Sequence, residues 1–224
     1  MPGRHVAVHW MQSMEGSMTE RHLPAPDLAA ALDGKQFVMA VPTGKVGELF
    51  SAAQKRICDL LPLTATYPVF PHITLGSYAD PGRVHALERT VEQWAAAQQP
   101  LEVETLRIET FPDPFRVVYI RCCATPTLEA AFTSLQSRMR DASVSLFGPM
   151  RTVRDHVFHM SLAYCDGTTA EEWAKLAEAC RKVDLPVRRE LVRNVRFAVF
   201  AGNEATRTLA LRGPAIGPQG QSIQ

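Results

Sequence analysis

Apolar and polar positions follow two different rhythms along this chain, and the rhythm changes repeatedly. Apolar residues at helical spacing predict helices over 46–61, 83–97, 127–141 and 169–181. Apolar runs and alternating segments predict strands over 36–41, 72–78, 101–110, 115–122, 158–164, 191–200 and 206–212, with the last two forming a hairpin. Because short turns join several strands, the sheets are expected to be largely antiparallel and the fold class to be α+β.

The order of these elements suggests an internal duplication, since strand, helix, strand, helix and hairpin are echoed by helix, strand, helix and hairpin. Residues 1–34 sustain no apolar period and are predicted to be an N-terminal extension that is partly disordered. Residues 35–213 form the predicted folded domain. The Gly-, Pro- and Gln-rich residues 214–224 are predicted to be a flexible tail.

Composition narrows the class of protein. The 224 residues are 46% hydrophobic and 21% charged, a balance that fits neither a disordered chain nor a coiled coil. The net charge is only +1, whereas proteins that bind long nucleic acids usually carry a clear basic excess. Any polyanion that binds here is therefore expected to be short or held at one local patch.

The expected location is the cytoplasm, without a membrane partner. No apolar run is long enough to span a bilayer, and the first residues lack the pattern of a secretory signal. The five cysteines are odd in number and contain no C-x-x-C pair, which favours a reduced chain that uses cysteine as a small apolar residue.

Two segments share the pattern histidine, apolar, hydroxyl, apolar: HITL at 72–75 and HMSL at 159–162. On a strand, side chains alternate between faces, so His72 points with Thr74 and His159 with Ser161. With seven histidines in the chain, two such matches are unremarkable by count alone. Their context distinguishes them, because both lie in apolar runs at corresponding places of the two echoed halves.

The pair HITL and HMSL resembles the signature of the two-histidine phosphoesterase superfamily, which includes bacterial RNA 2′,5′-ligase-like proteins and plant and fungal cyclic nucleotide phosphodiesterases. The resemblance extends in element order and motif spacing over most of residues 35–213. Members often have proline before both histidines, whereas here Pro71 precedes the first and Phe158 the second. The resemblance implies a bilobal, two-lobed phosphoesterase domain, in which two antiparallel sheets of duplicated topology face each other across a central cleft with helices outside.

His72 and His159 are the expected catalytic residues. Imidazole titrates near neutrality, so two of them can be held in opposite protonation states. One neutral histidine would take a proton from the attacking water, and one protonated histidine would donate to the departing ribose oxygen. The hydroxyls of Thr74 and Ser161 would donate to the non-bridging phosphate oxygens. This chemistry needs neither a metal nor a cofactor, because the imidazolium and the hydroxyl donors supply the electrostatics.

Two tyrosines are candidate substrate contacts. Tyr164 lies at an odd offset from His159, so a regular strand would turn it toward the core. The resemblance makes Tyr164 a substrate contact, which requires the strand to end or bulge near Ala163. Tyr78 keeps the parity of the first histidine, although Gly76 is able to bend the strand between them. It is the weaker candidate and would stack on a base.

Two further patterns favour ordinary structural roles. His156 and His159 form an H-x-x-H, but on a strand they would point to opposite faces, and no third ligand follows at a telling spacing. The segment 181–196 is rich in basic residues, for which a solvated edge is favoured over a lip that attracts phosphates. These residues are Arg181, Lys182, Arg188, Arg189, Arg193 and Arg196.

The function predicted from these observations is a metal-independent phosphodiesterase that hydrolyses 2′,3′-cyclic phosphates of nucleotides or short RNA ends. By resemblance, the product would carry a 2′-phosphate. Two alternatives stay open: a 2′,5′-RNA ligase-like or RNA end-processing enzyme that uses the same site, and a non-catalytic module that binds a phosphonucleotide. The expected partner is a nucleotide or short RNA end with a cyclic phosphate, and the expected state is a monomer.

Overall fold

The computed structural model describes residues 32–61, 65–112, 115–148, 152–200 and 205–213. These residues form helices α1 (Lys45–Cys58), α2 (Val84–Ala97), α3 (Pro126–Asp141) and α4 (Ala170–Arg181). They also form strands β1 (Lys35–Ala40), β2 (Ile73–Tyr78), β3 (Leu101–Phe111), β4 (Val117–Cys122), β5 (His159–Tyr164), β6 (Arg189–Val192), β7 (Asn194–Phe200) and β8 (Ala205–Ala210). Nearly all of the predicted N-terminal extension and the whole predicted tail lie outside the described residues.

The strands form two antiparallel sheets of four strands each, ordered β2-β1-β7-β8 and β5-β4-β3-β6. The α+β class with two antiparallel sheets is therefore confirmed. The predicted duplication is also present, because β1-α1-β2 in the first sheet corresponds to β4-α3-β5 in the second. In both units the strand that carries a histidine motif lies at the edge of its sheet, beside the strand that precedes the helix.

One predicted strand proves to be two. The pattern over 191–200 predicts a single strand of a hairpin, but β6 pairs with β3 in the second sheet and β7 pairs with β1 in the first. The chain changes sheets at Arg193, whose carbonyl accepts a hydrogen bond from the Leu211 amide (2.8 Å). The apolar residues Val192 and Val195 are buried on both sides of this point. An apolar pattern indicates which face of a strand is buried but not which strand it pairs with. The passage of the chain from one sheet to the other therefore cannot be predicted from the pattern.

The four helices cover one contiguous core to which both sheets contribute. Helix α1 forms because its apolar residues recur at helical spacing, and this stripe is buried against the sheets. Burying each large apolar side chain contributes roughly 1.5–3 kcal/mol. The stripe consists of Val46, Leu49, Phe50, Ala53 and Ile57. The two sheets therefore fold around a shared interior.

The start of α1 is capped from the other sheet. The carboxylate of Glu190 in β6 accepts hydrogen bonds from the backbone amides of Thr43 (2.7 Å), Gly44 (2.8 Å) and Val46 (3.0 Å). These amides have no partner within the helix, and a negative charge at the helix N-terminus is favourable. Glu190 therefore fixes the position of α1 against the second sheet.

No helix among the described residues is long and apolar enough to cross a membrane. All five cysteines are free thiols, and Cys122, Cys165 and Cys180 are buried. Burial raises the pKa of each of these three thiols, which keeps them protonated at neutral pH.

Candidate active site

The two motif histidines are anchored in the same way. The Nδ1 atom of His72 donates to the carbonyl of Phe70 (3.1 Å), and Nδ1 of His159 donates to the carbonyl of Val157 (2.7 Å). A carbonyl can only accept, so in each ring the proton of the neutral form sits on Nδ1. This leaves Nε2 as the titrating nitrogen, able to accept a proton when neutral and to donate one when charged. Both rings thus have the tautomer that acid–base chemistry at Nε2 requires.

The environment of His72 favours its neutral form. Burial lowers the pKa of this imidazole, and the positive charge of Arg196 lowers it further, while the hydrogen bond to Phe70 acts in the opposite direction. At neutral pH His72 is therefore set to accept a proton rather than to donate one.

A β-bulge places Tyr164 beside the second motif. In the pairing of β4 with β5, Val118 lies opposite Ala163 and Tyr119 lies opposite Ser161, so Leu162 is an extra residue without a partner. The bulge shifts the alternation by one position, and Leu162 and Ala163 both point into the core. Tyr164 thereby returns to the face of His159 and forms a hydrogen bond with Ser161.

A matching bulge in β2 turns Tyr78 away from the site. Val38 pairs with Gly76 and Met39 with Thr74, so Leu75 is the extra residue. Tyr78 is consequently fully buried in the core, and its ring lies so close to Gly76 that a Cβ there would collide with it. The prediction that Tyr78 contacts substrate is therefore wrong. Burial raises its pKa, and its hydroxyl has no hydrogen-bond partner among the described residues.

On the first sheet, an arginine and an aromatic ring flank His72. Met39 pairs with Thr74 on one side and with Arg196 on the other, so the three share one face of the sheet. The Arg196 guanidinium lies 4.5 Å from the centre of the Phe70 ring, which in turn lies 5.3 Å from the His72 ring. Thr74 is half-buried on this face.

On the second sheet, His159 has equivalent neighbours. It pairs directly with Arg121, and its ring lies against the rings of Phe111 (4.9 Å) and Tyr119 (5.2 Å). The carboxylate of Glu109 accepts hydrogen bonds from the Tyr119 hydroxyl and from Arg121, both at 3.1 Å. Burial and this carboxylate raise the pKa of Tyr119 to about 12, so its hydroxyl stays protonated. Glu109 thus orients Arg121 beside the histidine.

The basic segment 181–196 divides into two kinds of residue. Arg189 pairs with Glu104 and Lys182 with Glu178 on exposed surface, in agreement with a solvated edge. Arg196 differs, because it lies on the same face as Thr74 near His72. Sequence reasoning assigned Arg196 to the solvated edge, although a signal exists: Arg196 stands between the buried residues Val195 and Phe197, which places it on the opposite face of a central strand.

Among the described residues, no three His, Cys, Asp or Glu side chains come together as a metal-binding group. The His156 ring stacks on Phe132 at 4.3 Å, whereas His159 contacts Phe111 and Tyr119, so the two histidines of the H-x-x-H face different surroundings.

Comparison with protein-family models matches residues 63–203 to the 2′-5′ RNA ligase superfamily. The chain therefore belongs to this superfamily, the class of two-histidine phosphoesterases and ligases whose paired motifs it resembles. Comparison with curated protein sequences found no significant match.

Solved structures share the fold at low sequence identity. The protein TT0787 of Thermus thermophilus is 14% identical with a TM-score of 0.52, over 80% of this chain and 98% of that one. A protein described as a phosphoesterase is 16% identical with a TM-score of 0.51, over 80% and 95%. E. coli LigT complexed with 3′-AMP is 18% identical with a TM-score of 0.50, over 80% and 95%.

Proposed function

We propose that this protein opens 2′,3′-cyclic phosphates by acid–base catalysis with His72 and His159. The observation that carries the proposal is the shared anchoring of both rings through Nδ1, which assigns proton transfer to the Nε2 atom of each ring, one ring on each sheet. A base and an acid on opposite sides of a phosphorus atom are what an in-line displacement needs. The two motif strands β2 and β5 are in contact with each other, which is consistent with a joint site.

In the proposed reaction His72 is the base and His159 the acid. Nε2 of neutral His72 takes a proton from water as the water oxygen bonds to phosphorus. The bond from phosphorus to the ribose 3′ oxygen breaks, and this oxygen takes the proton from Nε2 of His159. The product is a 2′-phosphate. The lowered pKa of His72 supports this assignment of roles.

The charges around the motifs suit a phosphate. Arg196 lies near His72 and Arg121 pairs with His159, so each histidine has a cation on its own sheet. These positive charges stabilise the negative charge that builds on the non-bridging phosphate oxygens in the transition state. They also attract the phosphate group of the product. The hydroxyls of Thr74 and Ser161 lie on the same faces and would donate to the non-bridging oxygens.

A small substrate fits the charge balance of the chain. With a net charge of +1, the protein lacks the basic excess that is usual for a long-RNA binder, whereas two arginines at the motifs are enough for one phosphate. E. coli LigT has been solved in complex with 3′-AMP, and a ligand of that size is the one we propose here.

The test is incubation with each of the four 2′,3′-cyclic mononucleotides in EDTA, with the product separated from both possible monophosphates. We expect conversion to the 2′-phosphate, and no conversion above background by the His72→Ala, His159→Ala double variant. Turnover of none of the four would overturn the proposal for mononucleotides. Tight binding of 2′-AMP in that case would instead support a non-catalytic binding module.

The superfamily description supports a second candidate, 2′,5′-ligation. The chemistry differs only in the nucleophile, since a ribose 5′ hydroxyl would replace water and yield a 2′-5′ diester. Supplying an oligonucleotide with a free 5′ hydroxyl alongside one with a cyclic phosphate separates the two reactions. A joined product would favour ligation, and a 2′-phosphate alone would favour hydrolysis.

A further inference from the structure

Each of the two motif bulges accepts a hydrogen bond from a glutamine on a helix of the other half of the fold. Gln54 lies on α1, the helix before β2, yet its side-chain amide donates to the carbonyl of Leu162 in β5 (3.1 Å). Gln136 lies on α3, the helix before β5, yet its amide donates to the carbonyl of Leu75 in β2 (3.2 Å). Each acceptor is the extra residue of its bulge.

These contacts meet a requirement that the bulges create. A bulged residue leaves the ladder, and a buried carbonyl without a partner is costly. Leu75 and Leu162 are both fully buried, so the glutamine amides supply hydrogen bonds that the ladder does not. Gln54 is itself 8% exposed and also donates to the carbonyl of Pro68 (3.0 Å), in the segment that leads to His72. It therefore connects both motifs through one side chain.

We infer that Gln54 and Gln136 are positioning residues that decide which side chains face the active site. Without the hydrogen bond from Gln54, β5 loses the support for its bulge, and a regular strand would turn Tyr164 toward the core. Gln136 has the same effect on β2, where the bulge buries Tyr78. This inference rests on the proposed function for its catalytic consequence, but not for its structural one.

The first arm of the test is kinetic. Gln54→Met keeps the length of the side chain and removes the donor. We expect kcat to fall about tenfold or more with KM changed less than about threefold, because the donor acts through Ser161 and Tyr164 rather than on the substrate. The fall should shrink in a Ser161→Ala background, since coupled residues are not additive. Gln93→Met, on the exposed side of α2, is the matched control and should keep full kcat.

The second arm needs no substrate. Amide hydrogen exchange reports local opening, and each glutamine serves as the control for the other. Gln54→Met should speed exchange at Thr66 and Tyr164, whose amides pair with each other's carbonyls beside the β5 bulge. Gln136→Met should instead speed exchange at the amides of Ala79 and Phe147 at the end of β2. These amides donate to the carbonyls of Ser145 and Ser77, respectively.

The outcomes separate the two claims. If the wild type turns over no cyclic phosphate, the proposed function fails, and the exchange pattern still decides the positioning inference. Unchanged exchange in both variants, or an equal rise at all amides, would overturn the inference. Thr125→Ala, which removes the cap of α3 away from both motifs, shows what loss of stability alone does to kcat.

Discussion

Thr66 and Tyr164 exchange both of their backbone hydrogen bonds, at 3.0 and 2.9 Å. Thr66 belongs to the segment that leads to His72, and Tyr164 ends the strand that begins at His159. The position of one motif is thus tied directly to the other. On the opposite side Tyr78, at the end of β2, pairs with Leu146, which lies before the second motif. Both motif strands, which lie at sheet edges, are covered in this reciprocal way.

The hydroxyls of Thr74 and Ser161 are expected to serve the transition state. Thr74→Ala and Ser161→Ala should each lower kcat/KM. The expected loss of transition-state stabilisation is that of one hydrogen bond to a charged oxygen, about 1.5–3 kcal/mol. The measurement is steady-state hydrolysis of a cyclic mononucleotide, with Thr90→Ala on α2 as a control, because its hydroxyl bonds only within its own helix. A rise in KM with kcat unchanged would argue instead that these hydroxyls bind the ground state and the transition state equally.

The two tyrosines should behave oppositely. The Tyr78 hydroxyl is buried without a partner among the described residues, a situation that costs about 1–3 kcal/mol, so Tyr78→Phe should raise stability and leave kcat unchanged. Tyr164→Phe loses the hydrogen bond to Ser161 and should lower the rate. Urea unfolding and steady-state kinetics of both variants check this. A lower rate in Tyr78→Phe would instead support the original prediction that Tyr78 contacts substrate.

Stability should fall on the acid side of pH 6.5 because of His72. Its pKa is lowered on folding, so the unfolded chain, with the ordinary value of about 6.5, binds the proton first as the pH decreases. The free energy of unfolding should therefore decline from about pH 6.5 until the pH passes below the lowered pKa of the folded state, by up to about 1.4 kcal/mol per pH unit. Urea unfolding of the wild type and His72→Gln should diverge in this window, and parallel curves would contradict the assignment.

The cap of α1 predicts a loss of stability far from the motifs. Glu190→Ala leaves three backbone amides without their charged acceptor and should lower the free energy of unfolding by about 1.5–3 kcal/mol. Thermal unfolding measures the loss. Glu178→Ala is the control, since its exposed pair with Lys182 is worth little. Equal, small effects in both variants would show that the cap is unimportant.

The sequence was sufficient for the helices, for most of the strands and for locating the two motifs. Period alone located the four helices described, and the parity of HITL and HMSL predicts that each histidine points with its hydroxyl. The residue pattern alone is insufficient where a distant residue decides the outcome. A regular strand would turn Tyr164 toward the core, whereas the bulge near Ala163 that the resemblance required is present at Leu162, where Gln54, 108 positions away, holds the bulge carbonyl.

The same limit explains the error at Tyr78. Its parity with His72 holds in a regular strand, and the bulge at Leu75 reverses it. The sequence indicates a bend at Gly76, but the actual role of this glycine is to leave room for the Tyr78 ring. A single sequence indicates that a strand is irregular more readily than it indicates to which face the irregularity turns the following side chains.

The central claim is tested most directly by kcat/KM for a 2′,3′-cyclic mononucleotide in EDTA, measured for the wild type, His72→Ala, His159→Ala and the double variant, each shown to be folded by its thermal unfolding. Each single change is predicted to cost about 10²–10⁴, the range usual for a positioned acid or base. The double variant should lose less than the product of the two, because the histidines act as a unit. Full activity in either single variant would contradict the account.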